Sequence, residues 1–189
     1  MTPRQLDRRR RVLDAVHELL AERSLSEIQV KDIADRAQVS LAAIYRYFSS
    51  KEHLLAEALV DWAEHGSLAQ QRDPHAASVS ERFVTLLRWG LQAYRRSPQY
   101  AELFLESSTS RDHHAVASMG RLSKLMNSAM KPALEGLDPE AARDVWMTIG
   151  YAWVGGLFQF VHGRTTFADL EKSLLAVARL LVAPLEVAT

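Results

Sequence analysis

Cysteine is absent from this chain of 189 residues, which excludes disulfide bonds, thiolate nucleophiles and cysteine-based zinc sites. A secretory signal is also missing, because Met1-Thr2-Pro3-Arg4-Gln5 runs into charged residues rather than an apolar segment. No Gly-rich phosphate loop, nucleophile elbow or pair of catalytic carboxylates stands out. His113 and His114 are adjacent, whereas two metal ligands on one helix need a spacing of three or four residues. We therefore expect a cytoplasmic protein that is not an enzyme and holds no metal and no cofactor.

Neither sign of charge is in excess, since the formal net charge is zero. The charges are nevertheless unevenly distributed: residues 1–51 contain 10 Lys and Arg against 7 Asp and Glu, and residues 52–189 contain 13 against 16. Arg8-Arg9-Arg10-Arg11 puts four positive charges near the predicted start of the first helix. Such a run is either a solvated surface or a set of phosphate contacts, and the charges alone do not decide between them.

Long hydrophobic runs are scarce, and the uncharged stretch 145–161 is only at the lower limit for a membrane span. Asp144 and Arg164 flank it, glycines interrupt it, and no second span accompanies it. A helix that is apolar on all sides is instead buried against two neighbours. We expect no membrane contact, and we place this helix between its own core and a partner subunit.

The sequence predicts helices over nearly the whole chain, because apolar residues recur with a period near 3.6 and no period-two alternation is convincing. The predicted fold class is all-α, with a three-helix domain at residues 1–52 and a helical bundle at residues 53–189. The first helix carries an apolar stripe. Gly66 and the polar stretch 70–78 mark the end of the helix that begins near Lys51 and a boundary in the chain. The apolar stripe of the first helix consists of Val12, Val16, Leu19 and Leu20.

Residues 30–48 contain the most informative pattern in the sequence. A small apolar face on a first short helix lets a second helix cross closely, an apolar residue fills the turn, and a serine caps the second helix. Ile44 and Phe48 then pack inward one turn apart. The pattern predicts a helix-turn-helix with helices at 30–37 and 41–47, whose second helix presents its N-terminal residues to the major groove of DNA. The apolar face, the turn and the cap are Ile33, Ala34, Ala37, Val39 and Ser40.

The spacing of these residues resembles the TetR family of transcriptional regulators. The resemblance implies a homodimeric repressor that binds palindromic double-stranded operator DNA and is released by a ligand. Departures from the family pattern occur at Ser24-Leu25, Gln29, Gln38 and Ala42; Gln38 replaces a glycine, which tolerates positive φ more readily. The matching elements are Arg11-Val12-Leu13-Asp14-Ala15, Val30-x-x-Ile33-Ala34, Ala37-x-Val39-Ser40, Ile44-Tyr45-x-Tyr47-Phe48 and Ser50-Lys51-Glu52-x-Leu54-Leu55.

The resemblance also implies which residues contact DNA. The start of the second short helix would approach the bases, while two tyrosines and the lysine that opens the following helix would hold phosphates. Because the recognition face is rich in alanine, we expect thymine methyl groups, one arginine contact and DNA shape to provide much of the specificity. A core role for Tyr45 stays open. The predicted DNA-binding residues are Lys31, Ser40, Leu41, Ala42, Ala43, Tyr45, Arg46, Tyr47 and Lys51, with further phosphate contacts from Arg8 to Arg11.

In TetR-like proteins the last two long helices form a four-helix dimer interface, and segments 140–162 and 167–183 occupy that place here. Asp138-Pro139-Glu140 is a typical helix start, with Asp as N-cap and Pro in the first turn. Gly155-Gly156 would let two helices approach closely. The predicted interface residues are Ala152, Gly155, Gly156, Gln159, Leu174, Val177 and Leu181.

A mostly apolar effector pocket is expected in the region 83–160, which is rich in aromatic residues and methionine. A place in the plain core stays open for any one of them. The layout after residue 80 also resembles actinobacterial repressors of cholesterol catabolism within this family, which implies a small hydrophobic effector such as a lipid or an acyl-CoA-like molecule. The predicted lining is Trp89, Tyr94, Phe104, Met119, Met126, Met130, Trp146, Tyr151 and Trp153.

A second function class remains open. A dimeric small-molecule carrier or interaction protein of the same fold could lack specific DNA binding. The sequence favours the DNA-binding class, because it keeps the predicted phosphate-binding residues Tyr45, Tyr47 and Lys51. Strongly salt-dependent binding to a DNA duplex would separate the two classes.

Overall fold

The computed structural model describes residues 1–65 and 78–187, and each regular element in these ranges is helical. This confirms the all-α prediction. Gly66 and nearly all of the stretch 70–78, where a boundary is predicted, lie outside the described residues. The helices are α1 (Pro3–Glu22), α2 (Val30–Ala37), α3 (Leu41–Tyr45), α4 (Lys51–His65), α5 (Val79–Arg96), α6 (Gln99–Thr109), α7 (His113–Ala133), α8 (Pro139–Val161) and α9 (Phe167–Val187), with a short 3-10 helix at Leu25–Glu27.

The chain divides into two compact units. Unit 1 comprises Met1–Glu64 and Ser97–Ser123, which contain α1 to α4, α6 and the first half of α7. Unit 2 comprises His65–Arg96 and Lys124–Thr189, with α5, the second half of α7, α8 and α9. The sequence placed everything after residue 52 in a second domain, whereas α4 and the segment around α6 pack with the N-terminal helices.

In unit 1, α1 begins at Pro3 rather than near Arg8, where the sequence analysis placed it. Thr2 and Gln5 cap each other: the Gln5 amide donates to Thr2 Oγ1 at 3.4 Å, and the Thr2 amide donates to Gln5 Oε1 at 2.8 Å. Together with proline in the first turn, this capping box extends the helix toward the N-terminus. The predicted apolar stripe of α1, from Val12 to Leu20, is buried in the core of unit 1.

In unit 2, α9 packs against both α5 and α8. The predicted start of α8 is confirmed, because the amides of Glu140 and Ala141 donate to Asp138 Oδ2 at 3.0 and 3.2 Å. Helices α8 and α9 approach closely at Gly156, where Leu170 Cδ1 lies 2.5 Å from the position that a Cβ would occupy. Among the described helices, none is both long enough and apolar enough to cross a membrane.

Candidate nucleic-acid interface

A tight turn between α2 and α3 depends on Gln38. Its backbone has φ +53° and ψ +49°, the left-handed conformation that glycine adopts most easily. The Gln38 amide donates to the Asp35 carbonyl at 3.2 Å, and the Val39 amide donates to the Ala34 carbonyl at 3.0 Å. These bonds close the C-terminus of α2, so the turn forms although glutamine stands where glycine is expected.

Replacing Gln38 by glycine is expected to stabilise the protein by about 0.5 kcal/mol. Relief of left-handed strain, roughly 1–2 kcal/mol for a non-glycine residue, exceeds the added entropy of the unfolded chain, roughly 0.4–1 kcal/mol. Gln38→Val should instead destabilise, since a β-branched side chain adopts positive φ poorly. Urea unfolding of the two variants beside the unsubstituted protein measures both effects. Equal midpoints for all three proteins would contradict the strain argument.

The short helix α3 presents an exposed face. The Ala43 amide donates to Ser40 Oγ at 3.1 Å, which confirms the predicted cap. The helix ends at Tyr45, two residues earlier than predicted. Leu41 is 45% and Tyr45 48% exposed, so Tyr45 lies on the surface of unit 1 rather than in its core. The predicted DNA-binding residues that are exposed are Lys31, Ser40, Leu41, Ala42, Tyr45 and Arg46.

Two predicted DNA contacts are not presented to solvent. Ala43 is only 6% exposed because it is buried together with Ile44, so it does not reach a base from this packing. The Tyr47 hydroxyl is buried and, within the described residues, has no hydrogen-bond partner. The chain turns at residues 46–47 after the early end of α3, which directs Tyr47 inward beside Phe48, with ring centroids 6.5 Å apart.

The start of α4 brings Lys51 to the positive end of a helix. Ser50 Oγ accepts a hydrogen bond from the His53 amide at 2.9 Å, and Lys51, which is half-buried, is the first residue of the helix. His53 Nδ1 accepts from the Ser49 amide at 3.1 Å, and burial lowers the pKa of His53, which favours the neutral ring that this bond requires. The positive end of a helix suits a phosphate group.

Ion pairs divide the cations of unit 1 into two groups. Arg9, Arg10 and Arg11 all pair with carboxylates, so of the four arginines predicted to bind phosphate only Arg8 is left unpaired. Arg23, Arg36 and Arg121 are also paired. The second group consists of cations without an ion pair, and it includes Lys31, Arg46 and Lys51 from the predicted recognition surface. In the part of the chain that the structure describes, the cations of unit 1 without an ion pair are Arg4, Arg8, Lys31, Arg46, Lys51 and Arg111.

A buried carboxylate, Glu57 of α4, joins three helices of unit 1. It pairs with Arg9 of α1 and accepts hydrogen bonds from Ser118 Oγ and Arg121 Nη2 of α7, each at 2.5 Å. Burial alone would raise the pKa of Glu57, but the bonds from Ser118 and Arg121 and the two arginine charges hold it below its usual value. The sequence analysis missed this residue; its signal is a glutamate inside the apolar run from Leu54 to Leu59.

One turn further along α4, Asp61 forms a second polar network. Arg10 Nη1 lies 3.0 Å from Asp61 Oδ1, and His17 Nε2 lies 2.9 Å from Asp61 Oδ2. His17 Nδ1 lies 2.5 Å from the hydroxyl of Tyr100, whose ring stacks on Trp62 at 4.4 Å. The neutral histidine tautomer that donates from Nε2 and accepts at Nδ1 satisfies both partners. The two networks explain why α6 and the start of α7 pack with α1 and α4.

The predicted pocket residues do not all lie in one unit. Phe104 and Met119 belong to unit 1, and the other seven belong to unit 2. Tyr151 is 72% exposed, so it does not lie in the interior of unit 2. Tyr94, Met130 and Trp153 are buried, and Trp89, Met126 and Trp146 are half-buried.

The ring of Trp153 packs against α5 at a glycine. Its Cη2 lies 3.2 Å from the position that a Cβ on Gly90 would occupy, and its ring centroid lies 6.0 Å from that of Tyr94. Trp153 Nε1 is buried next to the Tyr94 hydroxyl and, within the described residues, makes no hydrogen bond of ordinary geometry. Burial raises the pKa of the Tyr94 hydroxyl, which interacts with Trp153. Unit 2 therefore contains an indole donor that a bound acceptor could satisfy.

The predicted dimer residues also divide into two groups. Leu174 is buried within the protomer, whereas Gly156 is half-buried and faces Leu170 and Leu174 of its own chain. The close approach that we expected at Gly156 occurs between α8 and α9. Gly155 and Gln159 are exposed, whereas Ala152, Val177 and Leu181 are half-buried. None of the exposed large apolar residues of α8 and α9 was in the predicted interface, and one of them, Tyr151, was predicted to line the pocket instead. They are Met147, Tyr151, Val154 and Phe158 of α8 and Leu180 of α9.

Two family models match the chain. Residues 12–58 match "Bacterial regulatory proteins, tetR family", and residues 76–181 match "Tetracyclin repressor-like, C-terminal domain". The chain belongs to the TetR family. Members of this family are DNA-binding transcriptional regulators and not enzymes, which confirms the predicted family and the prediction of a DNA-binding regulator. In the described ranges of this TetR-family regulator, no three His, Asp or Glu side chains are grouped to hold a metal ion.

Similar proteins cover almost the whole regulator. The HTH-type transcriptional repressor KstR of Rhodococcus jostii is 28% identical over 179 residues, which are 94% of this chain and 84% of that protein. KstR of Mycobacterium tuberculosis is 28% identical over 182 residues, 94% of this chain and 82% of its own. A crystal structure of a TetR transcriptional regulator from Rhodococcus sp. RHA1 shares the fold, with a TM-score of 0.80, 24% identity and coverage of 93% of this chain and 94% of that chain.

Proposed function

We propose that this TetR-family regulator is a cytoplasmic repressor that binds palindromic operator DNA as a homodimer and is released by a bulky hydrophobic effector. The observation that supports DNA binding most directly is the exposed face of α3. That helix is capped at Ser40 and anchored by buried Ile44, while Tyr45 and Arg46 remain exposed. A short helix held in this way fits the major groove, and the cations around it are not used in ion pairs. The similarity to repressors called KstR supports repression.

The apolar stripe on α8 supports the dimer. Met147, Tyr151, Val154 and Phe158 follow one another at intervals of four, three and four residues, so they lie on one face of the helix. Each is exposed in the protomer. An exposed stripe of large apolar side chains marks an interaction surface, and a second copy of α8 and α9 covers it in a two-fold dimer.

The buried pair Tyr94 and Trp153 supports a mostly hydrophobic effector. An apolar ligand with one neutral oxygen would accept a hydrogen bond from Trp153 Nε1, which lies by the Tyr94 hydroxyl and makes no hydrogen bond of ordinary geometry within the described residues. A charged group would be unfavourable there because an unpaired charge in an apolar interior is costly. Release follows if the effector binds better to the conformation that fits the operator less well.

Substituting Tyr45 or Lys51 by alanine is expected to weaken binding to the operator about 10-fold. Each substitution removes one predicted phosphate contact per protomer, and the loss of a charge at Lys51 should also lower the dependence of log K on log salt by about 1 per contact. Fluorescence anisotropy measures both quantities on a labelled duplex from the DNA flanking the protein's own gene, with a scrambled duplex for comparison. Lys124→Ala, at an exposed lysine of α7, serves as the control.

Failure of the unsubstituted protein to prefer any flanking or selected duplex over the scrambled one would contradict the repressor proposal. The carrier of the same fold would then be the better description. Selective binding that Tyr45→Ala and Lys51→Ala leave unchanged would contradict the assignment of α3 and the start of α4 as the interface.

A further inference from the structure

The first half of α7 runs parallel to α4 within unit 1. The ring of His114 stacks on that of His53, with centroids 4.9 Å apart, and one turn later Ser118 bonds to Glu57. Both helices therefore advance in the same direction along this contact. The turn between α6 and α7, residues 110–112, consequently lies at the same end of unit 1 as the start of α4.

Hydrogen bonds within the turn hold its shape, and its Asp112 lies near Ser50, the residue before α4. Asp112 accepts hydrogen bonds from the amides of Ala115 and His114, each at 2.9 Å, and these bonds together with the nearby Ser50 hydroxyl lower the pKa of its carboxyl. Ser50 in turn accepts from the His53 amide at 2.9 Å. The carboxylate of Asp112 is thus held by two backbone amides and lies near Ser50, and the residue before it in the chain is Arg111.

Arg111 is exposed and forms no ion pair or hydrogen bond in the described part of the chain. The second arginine between residues 97 and 123 of unit 1 is Arg121, which pairs with Glu57. Arg111 therefore resembles Lys31, Arg46 and Lys51, the unpaired cations of the predicted interface, rather than the paired arginines that hold the unit together. Unlike the others, Arg111 lies in the turn between α6 and α7.

We propose that Arg111 is a further contact to the DNA backbone, made from the α6–α7 turn next to the phosphate contact of Lys51. The proposal rests on the proposed function, because it requires the start of α4 to face the duplex. A phosphate is the complementary partner for an unpaired guanidinium, which binds phosphate oxygens in a bidentate manner. The contact adds affinity without reading sequence, since phosphate contacts position a protein rather than specify bases.

The salt dependence of DNA binding tests this assignment. Arg111→Ala is expected to weaken binding to the flanking duplex and to the scrambled duplex by a similar factor, about 10-fold at 0.1 M salt. The slope of log K against log salt should fall by about 0.9 per protomer, or about 1.8 for a dimer on DNA. Arg111→Lys keeps the charge and should retain most of the slope. Arg143→Ala, at an exposed arginine of α8, is the matched control.

The possible outcomes separate this inference from the proposed function. If the unsubstituted protein binds selectively and Arg111→Ala behaves like Arg143→Ala, the Arg111 contact is wrong and the repressor proposal stands. The Arg111 contact is also wrong if Arg111→Lys binds DNA as weakly as Arg111→Ala, because the affinity would then not depend on the positive charge. A lower thermal midpoint of Arg111→Ala would likewise contradict it, because the loss of affinity would then come from a less stable fold. If the unsubstituted protein shows no salt-dependent binding to duplex DNA, both proposals fail.

Discussion

Replacing Glu57 by glutamine is expected to lower the free energy of unfolding by about 2–3 kcal/mol at neutral pH, because a buried carboxylate that accepts charged hydrogen bonds is lost. Its side chain is only 5% exposed, and it receives Arg9, Ser118 and Arg121 from two other helices. Glutamine preserves the shape but removes the charge and turns one acceptor into a donor that faces the arginines. Arg9 and Arg121 are partly exposed, so water hydrates them in part once the carboxylate is gone. The expected loss of stability is therefore smaller than the largest losses for fully buried ion pairs.

The effect of this substitution should depend on pH with a defined sign. The folded-state pKa of Glu57 lies below its usual value, so the unfolded chain binds the proton more readily than the folded one. The stabilisation by the carboxylate is therefore fully present above the ordinary glutamate pKa and declines as the pH falls through the lowered folded-state pKa. The difference between Glu57→Gln and the unsubstituted protein should accordingly shrink in acid.

Urea unfolding at several pH values and fixed protein concentration measures both expectations for Glu57. Glu52→Gln is the matched control, since Glu52 is exposed on the same helix and should change stability by no more than about 0.5 kcal/mol. A loss at Glu57 that equals the loss at Glu52, or one that grows in acid, would contradict the role of this carboxylate.

Placing a charge in the middle of the α8 stripe, as in Tyr151→Asp, is expected to weaken the dimer about 100-fold or more. An aspartate at the proposed interface would be desolvated without a partner, at a cost of roughly 3 kcal/mol. Tyr151 is 72% exposed in the protomer, so the fold of the single chain should not suffer. Operator affinity should fall as well, because a palindromic site is read by two recognition helices held at one spacing.

Sedimentation velocity across a concentration series measures the dissociation constant, and far-UV circular dichroism checks that the helices persist. Tyr151→Phe keeps the apolar ring and should remain dimeric. Asn127→Asp adds the same charge at an exposed position of α7 and should also leave the dimer intact. A dimer of unchanged affinity in Tyr151→Asp would rule out the α8 stripe as the interface.

The recognition helix was predictable because its signals are local. Ser40 caps α3 through the amide of Ala43, three residues away, and Asp138 caps α8 in the same way. Burial of Ile44 and Phe48 follows from their spacing of one helical turn. The start of α1 was missed although its capping box, Thr2 with Gln5, is equally local; the arginine run drew the predicted start too far along the chain.

The inward positions of Ala43 and the Tyr47 hydroxyl were not predictable in this way. Ala43 is buried because it lies on the packed side of α3 beside Ile44, which only tertiary contacts reveal. The position of the Tyr47 hydroxyl depends on where α3 ends, and helix ends are the least certain part of a sequence prediction. The ion pairs of Arg9, Arg10 and Arg11 could not be predicted from the sequence either. Two of their carboxylate partners, Glu57 and Asp61, lie on another helix about 50 residues away, and spacing within one helix cannot reveal them.

The sequence by itself determined the helical fold class, the helix-turn-helix and the TetR family, because each depends on periodicity and on caps within a few residues. Tertiary structure decided which face of α8 is inside. Val145, Ile149, Trp153 and Leu157 point into unit 2, while the stripe with Tyr151 remains exposed. A helix that is apolar on all sides carries no sequence signal for its orientation, so only packing against α9 decides it. In the same way, only the packing of α7 along α4 brings the turn before α7 to the end of unit 1 where α4 begins.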